Sequence, residues 1–145
     1  MKAKAPDASI RFMVDEALWG LRSETMWADH LGRGRYRLRN IPMMVYGVSL
    51  EDIVSAVKHP SDPCPTFRRT IIKSGNRTLR VAFNEPIEDE DALKGLLVTL
   101  SGLGCRCEGF DAQFFGINVP SNVPLARVTN EILNWPAVWE LADPE

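Results

Sequence analysis

The stretch "TFRRTIIKSGNRTLRVAF" (residues 66–83) is where the reading of the fold turns. Two runs rich in β-branched and aromatic residues flank Ser74-Gly75-Asn76, and such residues between such runs predict a hairpin. On its second arm Leu79, Val81 and Phe83 share one face, leaving Thr78 and Arg80 on the other. Downstream, after Pro86, the period changes. Leu93, Leu96, Leu97, Leu100 and Leu103 recur at three- and four-residue spacing, the stripe of an amphipathic helix. Glu88, Asp89, Glu90 and Asp91 fall in its first turn, where the helix dipole favours negative charge, and Gly104 suits its exit. "CRCEGF" (105–110) and "AQFFGINV" (112–119) predict two strands. A last helix, capped by Ser121 or Asn122, is expected from Val123 until Pro136 interrupts it, with Trp135 and Trp139 packing its end.

Upstream, "HPSDPCP" (59–65) holds three prolines and reads as a loop. In "SLEDIVSAV" (49–57), Ser49 caps one turn with Asp52 before the chain extends from Ile53. "MMVYG" (43–47) is apolar and expected to be buried. "SIRFMVD" (9–15), "SETMWADHL" (23–31) and "RYRLR" (35–39) read as strands, the last two joined at the turn of Gly32 and Gly34. The fold class is therefore α+β. A bent antiparallel sheet or partial barrel (1–65) joins a ferredoxin-like β-α-β-β-α unit (66–145) that lacks its last strand, the two forming one compact body.

The 145 residues suit one domain that needs no metal or disulfide. No apolar run reaches the ~18 residues of a membrane span. The opening "MKAKAPDASIRF" does not read as a secretory signal, so a cytoplasmic location is expected. Three cysteines, with Cys105 and Cys107 too close along a strand to bridge, fit reduced thiols. The net charge of −2 hides an asymmetry. Residues 31–80 hold ten Lys and Arg against three Asp and Glu, whereas residues 81–145 hold three against eleven.

Several phrases carry a family resemblance. They are Glu24-Thr25-Met26-Trp27-Ala28, Tyr36 with Asn40-Ile41-Pro42, Gly47-Val48-Ser49-Leu50-Glu51-Asp52, Ser74-Gly75 with Thr78-Leu79-Arg80, and Gly104 with Glu108-Gly109. In these the chain resembles an uncharacterised family of small bacterial proteins, domain-of-unknown-function family 4265. The resemblance implies a bacterial source and brings no activity, cofactor or catalytic residue.

The candidate sites are charged surfaces. Pleating puts Arg35, Arg37 and Arg39 on one side of a strand with Arg33 at the turn, while Tyr36 and Leu38 face inward. Arg68, Arg69, Arg77 and Arg80, with Lys73, would extend the row into the hairpin. Such a face fits phosphates, a solvated edge, or the protein's own acidic half. The acidic counterpart is Glu88, Asp89, Glu90, Asp91, Glu108 and Asp111. A metal is not expected: Cys64, Cys105, Cys107, His30 and His59 lack the paired spacing of zinc knuckles. Catalysis finds little support. Glu24 and His30 share strand parity but would stand roughly 20 Å apart, and no nucleophile elbow or phosphate loop occurs. Among possible partner anchors, Trp27, Trp135 and Trp139 read mainly as core. Met43, Met44 and Tyr46 are those expected to be partly exposed.

The reading is a non-catalytic cytoplasmic binding protein, without cofactor, that meets another protein through charged surfaces. An immunity or antitoxin type fits that reading, with the acidic surface in a basic toxin cleft. The alternative is a nucleic-acid-binding accessory protein using the 33–39 strand and the 68–80 hairpin. A third reading is a small-ligand binder, or an enzyme without a known motif, with a pocket between the sheet and the helices.

Overall fold

A computed structural model describes residues 4–144. In chain order the elements are β1 (Ala8–Met13), α1 (Glu16–Trp19), β2 (Ser23–Gly32), β3 (Arg35–Leu38), β4 (Ile53–Val57) and β5 (Thr66–Ile72). They are followed by β6 (Arg77–Phe83), α2 (Glu90–Gly102), β7 (Arg106–Gly109), β8 (Phe114–Val119), α3 (Leu125–Ile132) and β9 (Ala137–Asp143). Strands β1 to β5 form a closed barrel, and the other four form a sheet in the order β7-β8-β6-β9. The class is α+β.

The barrel closes where β1 and β5 meet in parallel at Arg11 and Thr66. The Arg11 amide donates to Pro65 at 2.9 Å, and its guanidinium donates to Thr66 Oγ1 at 3.0 Å. Strand alternation fills the interior: Ile10, Phe12, Met26, Ala28, Leu38 and Val54 point inward and are almost wholly buried. The two outer strands of the sheet are thus joined at one pair of residues, which curls it into a barrel.

The hairpin expected over 66–83 does not form. β5 pairs with β4 and β1, whereas β6 lies between β8 and β9 in the other sheet. The connection is held instead by the barrel. Asp52 Oδ1 accepts from the Ser74 amide at 2.7 Å, and the Leu50 carbonyl accepts from Ser74 Oγ at 2.8 Å and Asn76 Nδ2 at 2.9 Å. These bonds turn the chain out of the barrel and into the centre of the second sheet. The seam between the halves therefore falls at residues 73–76, and the strand expected to open the second half completes the first.

Helix α2 follows the leucine stripe. Asp89 caps it through the Ala92 amide, Leu96 and Leu100 are buried, and Gly104 takes a positive φ of 97° just beyond it. Each such leucine contributes about 1.5–3 kcal/mol when fully buried. Helix α3 begins at Leu125 behind Pro124, with no side-chain cap from Ser121 or Asn122. After Pro136 the chain does not stay helical: β9 adds the strand that the periodicity misses. Both helices pack on the sheet face made by Leu79, Val81, Phe83, Phe115, Ile117 and Val119. The opposite face, with Thr78, Arg80, Gly116 and Asn118, meets the barrel's 41–48 segment. Contact there is close, since a Cβ on Gly116 would lie 2.8 Å from Ile41 Cγ2.

Candidate functional site

The outer surface of the barrel carries the basic face. Arg35 pairs with Ser55 and Ser55 with Arg69, so these three stand in one row across β3, β4 and β5. Arg37 lies in the next row between Asp29 and Ile53. A register shift between Ser55 and Ala56 interrupts the alternation, and Arg68 is exposed as well as Arg69. Arg33 is exposed at the turn with φ of 55°. Arg39 is half-buried and committed to Asp29 at 2.9 Å. Trp27 projects on the same side as Asp29 and is 57% exposed, and its carbonyl accepts from the Arg39 amide at 2.9 Å.

Two arginines leave the predicted face. Arg77 is half-buried, its guanidinium donating to the carbonyls of Pro120 at 2.8 Å and of Val123. Arg80 is only 1% exposed and lies where the second sheet meets the barrel segment. The reason is the lost hairpin: β6 is central and covered on both sides, so Arg80, on the face with Thr78, meets the barrel segment, while Arg77, on the Leu79 face, reaches the 120–123 turn before α3.

The acidic residues divide similarly. Glu88, Asp89, Glu90 and Asp91, with Glu85, are exposed at and before the start of α2. Glu108 is half-buried, bonded to the Ile41 amide at 3.1 Å and to Arg106 at 2.9 Å. Asp111, though exposed, closes a local turn by accepting from the Gln113 and Phe114 amides. Both are occupied within the chain. Among the described residues no ion pair joins Arg33, Arg35, Arg37, Arg68 or Arg69 to the 85–91 carboxylates.

Expected anchors also change places. Met43 and Met44 are buried, whereas Trp27 and Trp139 are exposed. The two methionines lie over Glu24, a buried carboxylate that accepts from the amides of Met43, Met44 and Val45 at 2.7, 2.9 and 3.1 Å. Glu24 is thus an organiser of the 43–45 turn. The three cysteines are free. Burial pushes the Cys105 thiol up and the Cys107 thiol up to about 12. Among the described residues no three His, Cys, Asp or Glu side chains gather as metal ligands.

A polar cluster joins the halves. Lys73 Nζ donates to Asp52 Oδ2 and Asp143 Oδ2 at 2.6 Å each, and to the Gly47 carbonyl at 3.1 Å. Ser49, fully buried, donates to Asp143 and shares a 2.7 Å bond with Thr78. Burial pulls the Lys73 ammonium down, but the bonds to Asp143 and Asp52 outweigh it, leaving its pKa above the ordinary lysine value. With Ser49 closed to solvent and Asp143 holding both partners, the cluster fits a latch and not a nucleophile.

The sequence reading missed a cleft of about 420 Å³ beside Arg80. Leu18 and Trp19 of α1 form one wall, Ala82, Phe114 and Val138 the sheet side, and Tyr46 and Glu140 the polar end. The Arg80 guanidinium lies 4.7 Å from the Tyr46 ring centroid and 5.7 Å from that of Trp19. Tyr46 donates its hydroxyl to Glu140 at 2.8 Å, and burial, then that bond, raises its pKa above the ordinary phenol value. A signal was present in "FFGINV" (114–119): apolar residues of both parities mark a strand covered on both faces.

A family model described as a domain of unknown function (DUF4265) matches residues 24–137. No curated protein matches the chain. A solved structure titled as a novel crystal structure of a hypothetical protein from Neisseria gonorrhoeae is similar, with a TM-score of 0.77 at 14% identity. The likeness covers 98% of this chain and 96% of that one, and at this identity it speaks to the fold alone. No helix among the described residues is long and apolar enough to cross a membrane.

Proposed function

The chain belongs to the DUF4265 family, a domain of unknown function, and we propose that it is a non-catalytic cytoplasmic protein that binds another protein through its charged surfaces. One observation supports this reading: among the described residues the exposed barrel arginines and the 85–91 carboxylates do not pair with each other, which leaves each surface open to a partner. Complementary fields raise association rates and discourage wrong partners. An immunity or antitoxin type is the version we favour, with the carboxylates at the start of α2 entering a basic cleft. The order β-α-β-β-α-β with sheet order β7-β8-β6-β9 supports reading the second half as a ferredoxin-like unit that presents this segment.

The test is co-purification from native-cell lysate at low and high salt. A partner captured at low salt, released at high salt and lost when Glu88, Glu90 and Asp91 are changed to Lys is the expected result. Failure to capture any partner at either salt, or retention by the reversed variant, overturns the reading.

Nucleic-acid binding is the second reading, and exposed Trp27 beside Arg37 and Arg39 favours it, because stacking on an aromatic within a basic strip suits single strands. Titration of labelled RNA and DNA at two salt concentrations separates it from the first, since phosphate contacts impose a steep salt slope. No binding at low salt ends it.

A further inference from the structure

We propose that the cleft between α1, Tyr46 and the β6–β9 pair binds a neutral planar heterocycle of nucleobase type, one edge of which carries a hydrogen-bond acceptor beside a donor. The observation is an unpaired nitrogen. Arg80 is 1% exposed; its Nε donates to the Pro42 carbonyl at 3.4 Å and its Nη2 to the Val45 carbonyl. Nη1 has no hydrogen-bond partner among the described residues and no solvent contact of its own. Its nearest acidic neighbour is Glu140 Oε1 at 3.6 Å, on the cleft wall and beyond bonding distance. A buried guanidinium hydrogen without an acceptor is costly, and a ligand atom that moves the half-exposed Glu140 side chain aside and takes its place would supply one.

The polar end holds both halves of a recognition pair. Arg80 offers a donor, and the Glu140 carboxylate, already accepting from Tyr46, has lone pairs left for a ligand donor. Their charges oppose each other, so an anionic ligand would meet Glu140 and a cationic one Arg80. A neutral edge with acceptor next to donor satisfies both. The walls add flat aromatic surface through Trp19 and Phe114, which favours stacking, with Val138 as apolar contact beside them. The volume of about 420 Å³ lies within the usual range for small-molecule sites.

The test is an NMR titration of the full chain with adenosine, guanosine, cytidine and uridine, with 1-methylindole as a ring lacking that edge. A short single-stranded RNA is run beside them to tell a free nucleoside from a base presented by a strand. The expected result is a saturable shift of the Trp19 indole N–H signal with Trp135 unmoved. Glu140→Ala, on the edge strand, should weaken binding roughly tenfold. Val138→Arg at the open rim should abolish it while other signals keep their positions. Whichever of nucleoside or strand binds tighter names the source. Equal affinity for 1-methylindole, unchanged affinity in Glu140→Ala, or no nucleoside or strand that moves Trp19 overturns the proposal.

Discussion

Lys73 Nζ lies 2.6 Å from Asp143 Oδ2, tying the connection between barrel and sheet to the last strand of the chain. Seventy residues separate the two in sequence, and the same ammonium bonds Asp52 of the barrel. One cation therefore compensates two carboxylates that are almost without solvent contact.

Lys73→Met should accordingly destabilise the protein by about 2–3 kcal/mol, below the value for a fully buried pair because the lysine side chain is itself half-exposed. Denaturant unfolding measures this. The pH dependence has a definite sign. Because the folded pKa of Lys73 stands above its unfolded value, its contribution is fully present below the ordinary lysine pKa. It is lost as pH rises through the higher, folded value. Wild type should lose stability relative to Lys73→Met only in that alkaline range, and a constant difference between them there contradicts the latch.

Gly116 has an unremarkable φ, so its requirement is space. A Cβ at that position would lie 2.8 Å from Ile41 Cγ2 and 3.1 Å from Met43 Sδ. Gly116→Ala should cost about 1–3 kcal/mol through overpacking between the sheet and the 41–43 segment. Ile41→Ala in the same chain should recover part of it, and a double-mutant cycle reads the coupling. Strict additivity would place the contact elsewhere.

Glu24→Gln keeps the shape of the side chain but exchanges one acceptor for a donor facing amides. Three backbone N–H groups converge on the native carboxylate. The substitution should cost about 2 kcal/mol and shift the urea midpoint without changing the slope. An unchanged midpoint means the 43–45 turn does not need the carboxylate.

Thiol labelling should divide the cysteines. With Cys105 raised by burial and Cys107 pushed up to about 12, neither forms appreciable thiolate at neutral pH. Cys64, in the 59–65 loop, should react first with an aromatic disulfide reagent, and the other two only on unfolding. Mass spectrometry of partly labelled protein locates the adduct, and early modification of Cys107 contradicts the assignment.

Much of the charged surface was legible, and the exceptions share a cause. Arg35, Arg37 and Arg69 are where pleating places them, because the exterior of a closed barrel meets water. Arg77 and Arg80 obey the same alternation, yet their strand is buried on both faces. Alternation tells which side chains share a face but not whether that face meets solvent. Trp27 shows the converse: its size suggested core, and its parity put it outside.

The amino-acid order alone decided the local elements: β3, the leucine-striped α2 with its acidic cap, the proline-rich loop, and the segregation of positive from negative charge. These depend on pleat, on helical period and on the missing amide of proline, all set within a few residues. Only the tertiary structure decided that β5 closes a barrel while β6 enters another sheet, that a ninth strand follows Pro136, and that Arg80 lies at the end of a cleft. Those outcomes rest on partners tens of residues away: Asp52 and Leu50 holding the turn at 74–76, and the 41–48 segment covering the sheet. Strand pairing uses backbone groups that every residue but proline carries in full, so its choice of partner is made by packing across the whole chain.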